Sequence, residues 1–464
     1  MKNSMVMTII LTLGLLLVGC GEISEQTPNQ ENGDPGEVNQ GPGDNDGDGD
    51  GVDEVEPPGE LLQGVTTRNL APDVSPESLV ELAANNRNFS LSLLQNLVEI
   101  EGDEENLFLS PHSISLAMAM AYAGAQGETK AEIAAVLRFL QSDDEFHAAF
   151  NALGLKLDEL SEVDVEEGDA FDLEIVNQTW GHVDFPFQDE YLNTLAEHYG
   201  AGLRIVDFES DFEEVRMGIN KWVEYVTRDR IVDLLPQGVI TALTRFVLVN
   251  AVYFYGSWEN KFEDSLTEDQ PFTRLDGSEV LVPLMRQTGQ FGYLNDGTSI
   301  AISIPYVGGK AGLVAVMPAE SSDDFLSWES ALTSSGFDAL VDGVRGHQLV
   351  NLSFPKFESE GSFSLKEVFN LMGIEQAFDP SRADFQGITG SGVELFISDV
   401  IHKTFVSIDE EGTEAAAATA VIFGTTDAEI PQPVDARFDR PFLYGVYDFE
   451  SDTILFLGRM VDPS

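Results

Sequence analysis

The sequence predicts an α+β fold, built as one large domain behind a polar N-terminal stretch. Three observations carry this. Segments with a helical apolar period and segments of β-favouring residues follow one another without regular βαβ alternation. No internal repeat runs through the chain. Of its 464 residues, 43% are hydrophobic and 9% aromatic, enough for a large core once the N-terminus is set aside.

Residues 1–20 read as a lipoprotein signal peptide, 21–70 as an acidic Gly/Pro-rich disordered tether, and 71–464 as the folded domain. Lys2 supplies the positive start, and the apolar run from Met5 to Val18 is too short to span a bilayer comfortably. It ends in Leu17-Val18-Gly19-Cys20, which resembles the bacterial lipobox. That resemblance implies an acylated Cys20, a membrane partner through its lipid, and a place on the outer face of a bacterial membrane, at the cell surface or in the periplasm. Cys20 is the only cysteine, so an intramolecular disulfide is excluded.

Residues 21–60 hold thirteen acidic side chains and no basic one. Such a stretch cannot bury enough apolar surface to order itself, and its like charges keep it extended. Within it, Asp46, Asp48, Asp50 and Asp53 alternate with glycines in a pattern suited to calcium. The EF-hand register fails, however. Pro57 falls at the twelfth position counted from Asp46, where a bidentate Glu is needed. The stretch is read as a solvated linker, and no metal or other cofactor is assigned. The net charge of −57 belongs mostly to the remaining chain. It argues against nucleic acid as a partner, because phosphate neutralisation needs clustered Lys and Arg.

In the folded part, Ser75-Pro76 marks a helix start, with Phe89, Leu93, Leu94 and Leu97 on its apolar face. The next helix, from about Ser110 through Ala123, is rich in small residues and apolar nearly all round, which predicts burial. Strands are expected at 245–254, 301–306, 312–317, 350–354, 404–408 and 454–457. Catalytic signatures are missing: there is no Gly-x-Ser-x-Gly elbow and no His-Glu-x-x-His pair, and the six histidines are scattered singly. The chain does not read as an enzyme.

Several segments occur in one characteristic order. They are Asn106-Leu-Phe-Leu-Ser-Pro-His-Ser-Ile-Ser115, Gly124-Ala-Gln-Gly-Glu-Thr129, Asn177-Gln-Thr-Trp180, Ile219-Asn-Lys-Trp-Val-Glu224, Leu248-Val-Asn-Ala-Val-Tyr-Phe-Tyr-Gly-Ser-Trp258, Arg440-Pro-Phe-Leu443 and Phe456-Leu-Gly-Arg459. In this order the chain resembles the serpins, a family of protease inhibitors. The resemblance implies three β-sheets, eight or nine helices and an exposed reactive-centre loop. Loop insertion into a serpin's own sheet is itself a standard example of strand addition. The expected partner is a serine-type endopeptidase, held as a covalent acyl complex by a monomeric inhibitor acting as a suicide substrate. Papain-like cysteine proteases, or a non-inhibitory binding role, are the alternatives.

The resemblance places a hinge at Glu410, Glu411, Gly412, Thr413, Glu414, Ala415, Ala416, Ala417, Ala418 and Thr419. By propensity alone this alanine run favours a helix. A strand before it and Val421-Ile422-Phe423 after it favour the loop. Strand alternation would put Thr413, Ala415, Ala417, Thr419, Val421 and Phe423 on one face, and none of them is charged. Counting along the family's usual hinge length gives a reactive bond between Thr426 and Asp427; loop length varies by several residues in the family, so Thr425, Asp427 and Ile430 stay open as cut positions. A small uncharged residue at the cut implies an elastase-like or subtilisin-like target. The resemblance also implies a sheet-opening region: Ser110, Ser113, Asn250 and His402 under the sheet centre, and Trp258 and Lys356 near the hinge, with Lys356 paired to Glu410. His402 is expected to be structural rather than catalytic. The acidic stretch from Ser142 to Phe171 makes a heparin-type polyanion an unlikely partner.

Overall fold

A computed structural model describes residues 55–160, 171–319, 325–413 and 432–464. In chain order its strands are β1 (Glu60–Leu62), β2 (Leu107–Leu109), β3 (Phe171–His182), β4 (Leu203–Val206), β5 (Phe246–Ser257), β6 (Glu268–Thr273), β7 (Glu279–Asn295) and β8 (Ser299–Pro305). They continue with β9 (Ala311–Pro318), β10 (His347–Pro355), β11 (Phe357–Ser364), β12 (Val400–Ile408), β13 (Gly412–Thr413), β14 (Val434–Arg437), β15 (Phe442–Asp448) and β16 (Thr453–Met460). The expected strands all appear, within a few residues of their expected ends.

Among the described residues six helices precede β5: α1 (Pro76–Glu101), α2 (Pro111–Tyr122), α3 (Gly127–Leu137), α4 (Asp143–Asp158), α5 (Asp189–Tyr199) and α6 (Phe208–Val226). Helix α1 starts where Ser75 Oγ accepts the Ser78 N–H at 3.1 Å, with Pro76 in the first turn. Its Phe89, Leu93, Leu94 and Leu97 are buried. Helix α2 is buried on all but one of its side chains, as its composition predicts.

The strands form two hydrogen-bonded sheets. The first runs β1-β4-β3-β5-β12-β11, with β13 attached to the end of β5. The second runs β14-β10-β7-β8-β9-β15-β16-β2, with β6 paired to β7. At 17 residues β7 is long enough to carry β6 on one stretch and β8 on another, so one ladder joins what could otherwise be two sheets.

Alternation along β5 shows how the first sheet is packed. Phe246, Leu248, Val252 and Phe254 join the main core, with Phe254 against Phe456 of β16 at 5.5 Å. Val247, Val249 and Ala251 point the other way, into a second apolar cluster with Trp180, Ile401 and the Val215, Ile219 and Val223 face of α6. Helix α6 thus seals the outer face of the sheet along the first half of β5.

Residues 55–70, which composition groups with the tether, carry β1 in the structure. Leu61 pairs with Arg204 at the free edge of β4, and Trp180 Nε1 donates to the Pro58 carbonyl at 2.9 Å. Strand addition to an exposed edge uses backbone groups, so composition alone gives no sign of it.

Candidate functional site: a sheet that parts in the middle

Strands β5 and β12 lie side by side and parallel, yet their ladder covers only five residue pairs, from Val400 with Leu248 to Thr404 with Val252. Beyond it β5 continues to Ser257 and β12 to Ile408 without pairing to each other. The parted halves border a cleft of ≈ 640 Å³, lined by Tyr253 and Tyr255 of β5, Ser407 and Asp409 at the end of β12, Glu358 of β11, and Arg228 and Arg230 just after α6.

The paired half is held by a buried polar lock. His402 and Asn250 are direct partners across the ladder, and both are fully buried. The Ser110 backbone N–H donates to His402 Nε2 at 2.9 Å, so the ring proton sits on Nδ1, which donates to Asn250 Oδ1 at 2.5 Å. Asn250 Nδ2 donates in turn to Ser113 Oγ, and to Asn177 Oδ1 at 2.6 Å. Ser110 Oγ caps α2 and donates to the Leu455 carbonyl at 2.7 Å. Burial lowers the His402 pKa to about 3, so the ring stays neutral.

Sequence reasoning found Ser110, Ser113, Asn250 and His402 but missed two members. Asn177 is the partner of Asn250 on β3, which extends the lock across three strands. Thr404, fully buried, donates its hydroxyl to the Phe108 carbonyl at 2.7 Å and closes the last pair of the ladder. Asn177 stood in a recognised motif, so the signal was present.

The parted end is arranged around Glu410. Its side chain is only 9% exposed and accepts from Lys356 Nζ at 2.6 Å and from Thr267 Oγ1 at 2.7 Å. Burial pushes this carboxyl up, but those hydrogen bonds outweigh it and hold the pKa below the usual range. The Lys356 ammonium is raised by the same contact. Thr267 was not foreseen. Trp258 donates through Nε1 to the Asp409 carbonyl at 2.9 Å, and its backbone N–H to the Glu411 carbonyl at 3.1 Å. Lys261 pairs with Glu411 at 3.0 Å. The Asp409 carboxylate accepts the Glu411 and Gly412 N–H groups, tightening the turn that reverses the chain after β12.

After that turn β13 runs back antiparallel along β5, with Gly412 opposite Ser257 and Thr413 opposite Gly256. A Cβ on Gly412 would lie 2.2 Å from the Gly256 carbonyl oxygen, so only glycine fits here. Of the expected hinge, Glu410, Glu411, Gly412 and Thr413 are therefore placed. Glu414, Ala415, Ala416, Ala417, Ala418, Thr419, Thr426 and Asp427 lie outside the described residues, as do Cys20, Asp46, Asp48, Asp50 and Asp53.

A mixed α+β fold whose first sheet parts between β5 and β12, with a strand returning at its mouth, defines the class of this protein. The profile described as "Serpin (serine protease inhibitor)" matches residues 84–463. The chain is 34% identical to antithrombin-III of Mus musculus, over 84% of this chain and 84% of that protein. It is 33% identical to the leukocyte elastase inhibitor of Homo sapiens, over 82% of this chain and all of that one. Among solved structures, the thermophilic serpin tengpin in its native state superposes with a TM-score of 0.71 at 28% identity, covering 86% of this chain and 97% of tengpin. The chain belongs to the serpin family. Members of this family are protease inhibitors and not enzymes.

Proposed function

We propose that the chain inhibits serine endopeptidases as a suicide substrate. Its loop is cut, the acyl-enzyme forms, and the loop then enters the first sheet between β5 and β12. The observation that carries this reading is β13. The chain leaving β12 has already turned back and begun an antiparallel ladder on β5, at the mouth of the cleft.

Extending that register supports insertion residue by residue. Ala415 would face Phe254, Ala417 would face Val252, Thr419 would face Asn250 and Val421 would face Leu248. Antiparallel partners share a face, and these four residues of β5 are buried. The expected uncharged face thus meets the core. Glu414 would fall opposite Tyr255, in the cleft that Arg228 and Arg230 line together with Asp229, Glu358 and Asp409. One short parallel ladder would give way to two antiparallel ones, and antiparallel pairing is the more stable per residue. A dozen inserted residues would add on the order of ten hydrogen bonds at about 1 kcal/mol each.

The reactive bond assigned is Thr426–Asp427, and the target is an elastase-like or subtilisin-like protease. We also propose acylation of Cys20 and a monomeric inhibitor tethered to the outer face of a bacterial membrane. A Cys20→Ser chain should then partition to the soluble fraction. The inhibitory reading is tested by incubating the protein with elastase and subtilisin. The expected result is a complex stable on denaturing gels and a released peptide beginning at Asp427. Turnover of the loop without a complex, and without a gain in heat stability, would defeat it. Thr413→Arg should fold but behave as a substrate.

A further inference from the structure

A second cavity lies away from the parting strands. It encloses ≈ 230 Å³ between α2, α4, α5 and β3. Leu116, Met120, Leu157 and Ile175 give it an apolar wall. Two lining residues carry a buried nitrogen with no hydrogen-bond partner among the described residues: His112 Nδ1 and Asn177 Nδ2. His112 is 2% exposed. Buried polar groups without partners are rare in native structures, and they mark places where a further group completes the bonding.

Among the described residues one cation lines the cavity, and it comes from outside the family-matched region. Arg68 lies upstream of residue 84, where that match begins. The backbone before and after it is tied to α5: Val65 N–H donates to Asn193 Oδ1 at 2.9 Å, and Asn69 N–H to the Glu197 carbonyl at 2.9 Å. The Arg68 side chain runs between Gly154 and Gly200. A Cβ on Gly154 would sit 2.9 Å from Nη2, and one on Gly200 would sit 3.0 Å from Cδ. Nε donates to Asn151 Oδ1 and Nη1 to Asp158 Oδ2, both at 3.0 Å. Nη2 makes no hydrogen bond among the described residues. Asp158 is 62% exposed, so its hold on Arg68 is that of a surface pair and is easily exchanged.

We propose that this cavity is a binding site for a medium-chain aliphatic carboxylate. The carboxylate would sit on the Arg68 guanidinium, and the chain would run between Leu116, Met120, Leu157 and Ile175. An apolar pocket with a few convergent polar groups is the general form of a small-molecule site. An arginine suits a carboxylate because its planar N–H fork matches the two oxygens. Asn177 gives the site a second role. Its Nδ2 belongs to a residue lining the cavity, while its Oδ1 holds Asn250 in the polar lock, so occupancy would be felt where β5 meets β12.

The test is calorimetric titration of the full chain with octanoate, 1-octanol and octylammonium, and it does not depend on inhibitory activity. Octanoate should bind one per chain and octylammonium should not. Arg68→Ala should weaken octanoate at least tenfold and leave octanol within twofold of wild type. Gly154→Met, which puts a side chain where Arg68 now lies and improves helix propensity, should block both octanoate and octanol, with circular dichroism confirming the fold. Failure of octanoate to bind would overturn the proposal. So would equal octanoate binding in wild type and Arg68→Ala, or unchanged binding in Gly154→Met.

Discussion

At His402 the Nε2 lone pair receives the Ser110 N–H, so a second ring proton would meet another donor head-on. Burial acts in the same direction, and with it the pKa falls to about 3. His147 and His112 are also lowered by burial, to about 3 and about 4. Between the ordinary value of 6.5 and these folded values, the unfolded chain takes up protons that the folded chain refuses. Stability is therefore full above pH 6.5 and falls as pH drops through that window, by up to roughly 1.4 kcal/mol per pH unit for each histidine. Thermal melts should show Tm dropping from pH 7 to pH 5, with a shallower slope in His402→Gln; an unchanged slope would remove His402 from this account. Asn250→Ala, which strands the His402 Nδ1–H and leaves Asn177 and Ser113 without their shared donor, should cost about 2–4 kcal/mol in denaturant titrations. Most of this lock was legible in the sequence through its ordered motifs. Asn177 and Thr404 were not singled out, because alternation assigns a strand residue to a face without saying what it bonds there. Thr267 reaches Glu410 from 143 positions away, a contact that only the fold creates.

Among the elements, β13 consists of two residues, and Gly412 is the one that decides whether it forms. Its Cβ-free backbone lets the chain approach the Gly256 carbonyl. Gly412→Val should detach the hinge from β5, leaving Glu410 and its Lys356 pair in place. The expected outcome is faster limited proteolysis at residues 412–416 and more cleavage events per complex formed. Identical proteolysis rates would mean that β13 does not restrain the hinge. The glycine itself was visible in the sequence, but its reason was not, since it depends on the backbone of a strand 156 positions earlier. The same limit applies to β1. Residues 57–62 look like linker by composition, and their place at the sheet edge is set by unpaired groups on β4. Helices α1 and α2, by contrast, follow directly from Ser75-Pro76, from an apolar period, and from a run of small apolar residues.

For the molecule as a whole, most of the net charge of −57 falls after residue 60, which means mutual repulsion within the folded part. Many of the cations among the described residues are paired with carboxylates, as with the fully buried Arg459, held by Glu329 at 2.8 Å and by the Asp103 and Glu105 carbonyls. Screening should therefore stabilise the fold. Raising NaCl from 20 to 500 mM is expected to raise Tm by several degrees, and heparin should leave the inhibition rate unchanged; a salt-independent Tm would show that the charges are too dispersed to matter. The brevity of the β5–β12 ladder has one more consequence on the reading proposed here. Five pairs close the sheet reversibly, but a strand once zipped between them has no route back out. Each molecule then works as a memory of a single event. The fraction of the population carrying the extra strand is a running tally of how much protease the surface has met, readable long after that protease has gone.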